Sequence, residues 1–222
     1  MAGEPESLQQ DEDLIARDRR HAYDRMIMLS DGVFAIAITL LAFDIRPPAG
    51  WIGRPGAAWA FVAPQLTSYV MSFLVVAFYW LVHRRFVAMM TRVDGPATAI
   101  NLLVLGLVAL APAATSISES SHNDLSAQAL YAALVILIGI ALGLLWAYAV
   151  LRRLVFASVR GRSRWIGFLV PVVAPSLMLA ATMGVHLPQD ITPFVLIALF
   201  VPVWIFFQRG MHPSPPKAKA EA

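Results

Sequence analysis

Long apolar segments separated by short polar connections dominate the chain. Six segments contain few charged residues: Met26–Phe43, Phe61–Val82, Ala97–Ile117, Ala127–Leu151, Trp165–Val185 and Ile191–Phe207. Each is near the roughly 20 residues with which a helix crosses ~30 Å of hydrocarbon. Because they are continuous rather than alternating, they favour helices over barrel strands. The pattern predicts an all-α, polytopic membrane protein with six transmembrane helices per subunit.

Composition supports a membrane domain and defines its limits. Hydrophobic residues make up 59% of the 222 positions and charged residues 14%, whereas soluble domains carry about 25% charge. We expect a cytoplasmic N-terminal segment (1–24), a six-helix transmembrane domain (25–208) and a disordered cytoplasmic tail (209–222). The acidic start has no apolar core before Met26, so no signal peptide is predicted. Cysteine is absent, which excludes disulfides and thiolate metal sites.

The basic residues predict the orientation of the chain. With six spans, all of the 17 lysines and arginines except Arg46 and Arg54 fall on the same side as the N-terminus. The positive-inside rule therefore predicts that both termini are cytoplasmic. This distribution reports topology and contact with anionic lipid, and it does not favour nucleic-acid binding.

The first apolar segment contains a carboxylate. A charge inside a membrane helix costs about 2.5–3.5 kcal/mol at the centre and less near an end, so Asp31 should face protein or water. Arg25, His83 and Asn101 lie at similar depth and are candidate partners, with Trp80 as a further donor. Two interpretations stay open for Asp31, a structural tether between helices or a proton or ion site. His83 is likewise either a tether or a pH sensor.

The same segment carries an apolar stripe with one hydroxyl beside it. Ile36, Leu40 and Phe43 share a helical face, Thr39 borders that face, and Asp44 follows at the outer end. Ordinary packing is one interpretation. If several copies surrounded an axis, the stripe would form apolar rings able to gate by dewetting. Thr39 oxygens would then replace part of a cation's water shell, and a ring of Asp44 would concentrate cations.

Other function classes find less support in the sequence. An intramembrane hydrolase needs a nucleophile with a base, paired aspartates or a His-Glu metal site, and Asp31 is the only acid placed within a span. A secondary transporter is a stronger alternative, although no matching halves are visible. Gly139 and Gly143 form a Gly-x-x-x-Gly pair that permits close helix crossing.

Three stretches resemble one known family. "RMIMLSDGVFAIAITLLAFDI" resembles the first-helix signature of the transmembrane protein 175 family of potassium channels, with Arg25, Ser30 and Asp31 matching and Leu29 replacing the family's phenylalanine. "FYWLVHRRF" (78–86) and "NLLVLGLVALAPAATS" (101–116) are similar to the end of the second helix and to the third.

The resemblance implies a homotetramer of six-helix subunits whose first helix lines the pore. By position it assigns the constriction to Ile36, Leu40 and Phe43, and potassium preference to Thr39. Phe43 is bulkier than the usual aliphatic residue there. Arg25, Ser30 and Asp31 would brace the pore helix from behind, in a network with His83 and Asn101.

The expected function is a leak-type, potassium-permeable cation channel, with a proton-permeable channel or a secondary transporter as alternatives. The expected partners are further copies of the chain, membrane lipids and permeant K⁺, with no cofactor and no resident metal. The expected location is the bacterial plasma (inner) membrane.

Overall fold

The computed structural model describes residues 4–46, 55–121, 124–157, 159, 161–184 and 192–210. These residues form α-helices and a short 3₁₀-helix, and an isolated antiparallel bridge joins Met90 to Val155. The helices are α1 (Glu4–Leu41), the 3₁₀-helix (Ala42–Asp44), α2 (Pro55–Ala88), α3 (Gly95–Ala109), α4 (Ala111–Ser120), α5 (Leu125–Leu151), α6 (Arg162–Gly184) and α7 (Thr192–Gly210). The predicted all-α class is confirmed.

Each predicted apolar segment contains a helix, but the third contains two. α3 ends at Ala109, and α4 begins at Ala111 with Pro112 in its first turn. Proline lacks the N–H that would continue the helical ladder, and its ring clashes with the carbonyl four residues earlier. Leu110 therefore closes α3 with a hydrogen bond to the Leu107 carbonyl, 3.2 Å away, before α4 continues. The two helices together still form one candidate span, Gly95–Ser120.

Helices run across both of the domain limits predicted from the sequence. α1 begins at Glu4, so most of the polar N-terminal segment continues directly into the first apolar segment as one helix. α7 extends to Gly210, so the first two residues of the predicted tail are helical. The rest of that tail, residues 211–222, lies outside the described residues.

Among the described residues, three helical stretches have the length and hydropathy of membrane spans. They are Val62–Ala88, Gly95–Ser120 and Leu125–Leu151. The apolar part of α1, from Met26 to Leu41, is shorter and contains Asp31. Its buried residues lie on one face, so α1 depends on its neighbours more than the three strongly apolar spans do.

α5 is the central helix of the bundle. It packs against α3 and α4 on one side and α6 on another. Gly139 and Gly143 face the backbone of α6, where a Cβ on Gly139 would collide with the Pro171 carbonyl oxygen. The predicted close crossing at the Gly-x-x-x-Gly pair is thus confirmed. One turn further, the Trp146 ring stacks on Phe86 with 4.6 Å between centroids.

We expect Gly139→Ala to destabilise the bundle by about 1–3 kcal/mol, because the added methyl group forces α5 and α6 apart. Gly106→Ala in α3 is the matched control, since a Cβ there meets nothing within 4 Å in the subunit. The control should unfold at the same temperature as the wild type, or higher because alanine favours helix. Thermal unfolding of the purified protein in detergent measures both. Equal unfolding temperatures for the two variants would contradict the close-crossing interpretation.

Candidate pore-lining helix and its supporting network

α1 buries one face and leaves the opposite face uncovered. The buried face consists of Met26, Ser30, Phe34, Ala37 and Leu41, which recur every three or four residues and pack on the rest of the subunit. On the other side, the exposed fractions of Ile36, Leu40 and Phe43 are 60%, 44% and 66%. Every residue predicted to form the constriction therefore lies on the face that a single subunit does not cover.

Thr39 lies on this exposed face with its hydroxyl turned back to its own helix. Its Oγ1 donates to the carbonyl oxygens of Ile36 and Ala35, at 2.9 and 3.0 Å. A threonine hydroxyl has one proton and two acceptor lone pairs. Because the proton is used within the helix, the remaining lone-pair capacity of the oxygen can accept a hydrogen bond or ligate a cation.

The C-terminal end of α1 is closed by an arginine. The Nε of Arg46 donates to the Phe43 carbonyl oxygen at 3.0 Å, and the Arg46 backbone N–H donates to Oε1 of Gln65 at 2.9 Å. These bonds tie the end of the 3₁₀-helix to α2. The backbone of Asp44 belongs to this turn, and its side chain lies outside the described part of the chain.

Three buried polar side chains connect α1, α2 and α3. Asn101 Nδ2 donates to Ser30 Oγ at 3.0 Å, and Asn101 Oδ1 lies 2.7 Å from His83 Nε2. With the amide oriented in this way, His83 carries its proton on Nε2 and donates to Asn101. Ser30 in turn donates to the Met26 carbonyl at 2.7 Å. All three side chains are buried, so the structure brings together Ser30, His83 and Asn101 of the predicted network.

Asp31 bonds to Trp80, the further donor considered from the sequence, rather than to Arg25, His83 or Asn101. Its Oδ1 accepts a hydrogen bond from Trp80 Nε1 at 2.8 Å, and the guanidinium of Arg84 lies 5.4 Å from the centre of the Trp80 ring. Asp31 and Arg25 are both exposed. The Arg-Ser-Asp motif thus divides, with Ser30 inside the subunit and the two charged residues on its surface.

A second polar cluster in the bundle was not anticipated from the sequence. Thr115 Oγ1 donates to Ser72 Oγ at 3.0 Å, and Ser72 Oγ lies 3.2 Å from the Tyr131 hydroxyl. This cluster joins α2, α4 and α5. A single hydroxyl in an apolar segment does not indicate its partner, because that partner lies 43 or 59 positions away in the chain.

We expect Asn101→Ala to destabilise the subunit by about 1–3 kcal/mol, because it leaves the buried polar groups of Ser30 and His83 without their partner. Thr98→Val is the matched control one turn earlier on α3. Thr98 is exposed, and its hydroxyl bonds only locally, to the Asp94 carbonyl at 3.0 Å. Chemical unfolding in detergent should separate the two variants. Equal loss for both would mean that the network adds nothing to the stability of the bundle.

Comparison with known proteins finds a family model that matches the first part of the chain. The family model described as the endosomal/lysosomal potassium channel TMEM175 matches residues 25–112, which include the apolar part of α1 and all of α2 and α3. A protein of Streptomyces collinus described as a potassium channel is 37% identical over 129 residues, or 55% of this chain and 62% of that protein. A Gallus gallus protein described as the endosomal/lysosomal proton channel TMEM175 is 28% identical over 204 residues, covering 79% of this chain and 41% of that protein. The chain thus spans less than two thirds of the length of these relatives.

A solved structure shares the fold. The crystal structure of a lysosomal potassium-selective channel TMEM175 homologue from Chamaesiphon minutus superposes with a TM-score of 0.58 at 23% identity. The match covers 86% of this chain and all of that one. The family is one of ion channels rather than enzymes. Residues 25–112 of the chain are therefore similar to the TMEM175 family, and the arrangement of the helices is shared with a solved homologue of that family.

Proposed function

We propose that the protein is a homotetrameric, leak-type, potassium-permeable channel whose pore is lined by α1. The observation that carries the proposal is the exposed apolar face of α1, with Ile36, Leu40 and Phe43 uncovered beside the exposed Thr39, whose hydroxyl proton is bonded within the helix. The names of the bacterial relatives, described as potassium channels, support the choice of ion. The activity as a whole is inferred from relatives of which this chain spans less than two thirds of the length.

The exposed face of α1 supports assembly around an axis. Four copies related by rotation would each contribute one such face, and the apolar side chains would meet there. The small residues Gly32 and Ala35 lie on the exposed part of the helix and allow the pore helices to approach closely. Self-assembly thus completes a site that one subunit supplies only in part.

In such an assembly the side chains of α1 would act in sequence along the pore. Rings of Ile36 and Leu40 narrow the path and resist wetting, so ions pass only when the constriction widens. Thr39 oxygens between them replace part of the hydration shell of K⁺. Phe43 forms a bulkier third ring nearer the outer end. A ring of Asp44 at the mouth would raise the local cation concentration.

The network behind α1 would hold the pore helix in its rotational setting. Ser30, Asn101 and His83 fix the helix from the inside of the subunit, and Asp31 bonds to Trp80 on α2. Arg25, six residues before Asp31 on the same helix, completes the motif at the helix surface. In this role these residues position the pore and do not bind the permeating ion.

The proposed location is the bacterial inner membrane, with several spans, contacts with surrounding lipids and both termini in the cytoplasm. The charge distribution supports this orientation, because only Arg46 and Arg54 fall on the outer side. K⁺ is the permeant ion in this proposal, and no resident cofactor is needed for passive flow.

Proton conduction is the second candidate, favoured by the name of the Gallus gallus relative. The two functions are separable by reversal potentials. A potassium channel follows the K⁺ gradient at constant pH, whereas a proton channel follows the pH gradient at constant K⁺. A secondary transporter would instead show flux that requires a coupled ion gradient.

Ile36→Asn is expected to raise the leak current several-fold, because an amide at the constriction favours wetting. Planar-bilayer recording of purified protein measures the current. Leu137→Asn is the matched control, since Leu137 on α5 is similarly exposed, at 49%, but is not on the proposed pore face. An unchanged current with Ile36→Asn, or an equal rise with Leu137→Asn, would remove α1 from the pore.

Thr39→Ala is expected to lower the preference for potassium over sodium, because it removes the oxygen offered to the ion. Thr39→Ser keeps that oxygen and should retain the preference. Reversal potentials in mixed potassium and sodium solutions measure the ratio for each variant. If alanine and serine give the same ratio as threonine, the hydroxyl does not set selectivity.

A further inference from the structure

Three arginines converge on a cavity at one end of the bundle. The cavity, of about 410 Å³, lies where the connection from α2 to α3 meets the connection from α5 to α6. It is lined by Arg92, Val93, Asp94, Leu151, Arg152, Arg153 and Leu154. The lining contains three guanidinium groups and one carboxylate, so it carries a net positive charge at every pH at which proteins fold.

Backbone hydrogen bonds hold the two walls of the cavity together. The isolated bridge pairs Met90 with Val155. Beside it, Thr91 donates from its N–H to the Leu154 carbonyl at 2.7 Å, and from its hydroxyl to the same oxygen at 3.0 Å. The arginines of the two connections are therefore anchored to a common scaffold, and the site exists before any ligand arrives.

The carboxylate in the lining is already engaged by the protein. Asp94 Oδ1 accepts from the Ala97 N–H at 2.9 Å and caps α3, while Oδ2 accepts from the Tyr148 hydroxyl at 2.9 Å. Its role is to close the helix and join it to α5. Arg152 also hydrogen-bonds to the Tyr148 hydroxyl, so Arg92 and Arg153 add to a lining whose positive charges still outnumber the single carboxylate.

The cavity also has an apolar edge at the end of a candidate membrane span. Leu151 is the last residue of α5, a membrane span, and its side chain is 80% exposed. An anionic ligand with an apolar part fits such a combination of cationic and apolar surface. A neighbouring cavity of about 610 Å³ includes Arg20 and Arg92 but also Asp24, so its charges are closer to balance.

The geometry points to a binding site for a phosphate group in the Arg92–Arg152–Arg153 cavity, supplied by the headgroup of an anionic phospholipid. Basic pockets between spans on the cytoplasmic side suit such headgroups, and arginine matches the geometry of phosphate oxygens with paired donors. The inference requires that this end of the bundle lies at the membrane surface. It does not require that α1 lines a pore.

The test measures lipid retention by the purified full chain in neutral detergent, using native mass spectrometry. Dioctanoyl phosphatidylglycerol is titrated against dioctanoyl phosphatidylcholine. The wild type should retain the anionic lipid preferentially. Arg152→Gln with Arg153→Gln should weaken its binding by roughly 30-fold, since each arginine near a membrane surface contributes about 1 kcal/mol.

The charge-matched control is Arg17→Gln with Arg209→Gln, two exposed arginines outside the cavity. It should bind phosphatidylglycerol like the wild type, and equal weakening by both double variants would overturn the site. If the cavity variant does not fold, Arg92→Gln, in the other connection, must show the loss instead. Inorganic phosphate should not displace the lipid at comparable concentrations, and displacement would overturn the lipid headgroup as the source. Conductance is recorded separately, so failure of this site leaves the channel proposal intact.

Discussion

The rotational setting of α1 depends on one buried hydrogen-bonded chain, Ser30 to Asn101 to His83. These three side chains come from three helices and lie in an apolar interior, where an unpaired polar group costs about 1–3 kcal/mol. A rotation of α1 by one residue would break the bond to Ser30. Because Ser30 must face inward, Phe34, Ala37 and Leu41 face inward with it. The opposite face of the helix then has no cover within the subunit.

The rest of the bundle supplies the platform on which this chain is built. α5 crosses α6 closely at Gly139 and Gly143, and the Trp146 indole stacks on Phe86 of α2 while donating to the Arg164 carbonyl at 3.0 Å. In lipid, apolar burial adds little to helix association, so close packing and interhelical hydrogen bonds carry more of the stability. α5 thereby connects the half of the subunit that holds α1 to the half formed by α6 and α7.

The two surfaces that the subunit leaves open differ in polarity and charge. The exposed face of α1 is apolar with one hydroxyl, which suits assembly around a narrow path for a cation. The cavity where the α2–α3 and α5–α6 connections meet is lined by three arginines and one hydrogen-bonded carboxylate, which suits an anion at the membrane surface. The two surfaces use opposite electrostatics, and they lie on different elements of the bundle.

The sequence by itself determined the helical class, the six apolar segments and the face shared by Ile36, Leu40 and Phe43, because hydropathy and helical periodicity are local properties. The first-helix motif also pointed to the family whose model matches residues 25–112. Only the tertiary structure decided that Asp31 bonds to Trp80, that Ser72, Thr115 and Tyr131 form a cluster, and that the third segment breaks at Leu110. Hydrogen-bond partners separated by tens of residues depend on the depth and rotation of each helix, which packing sets and the local pattern does not record.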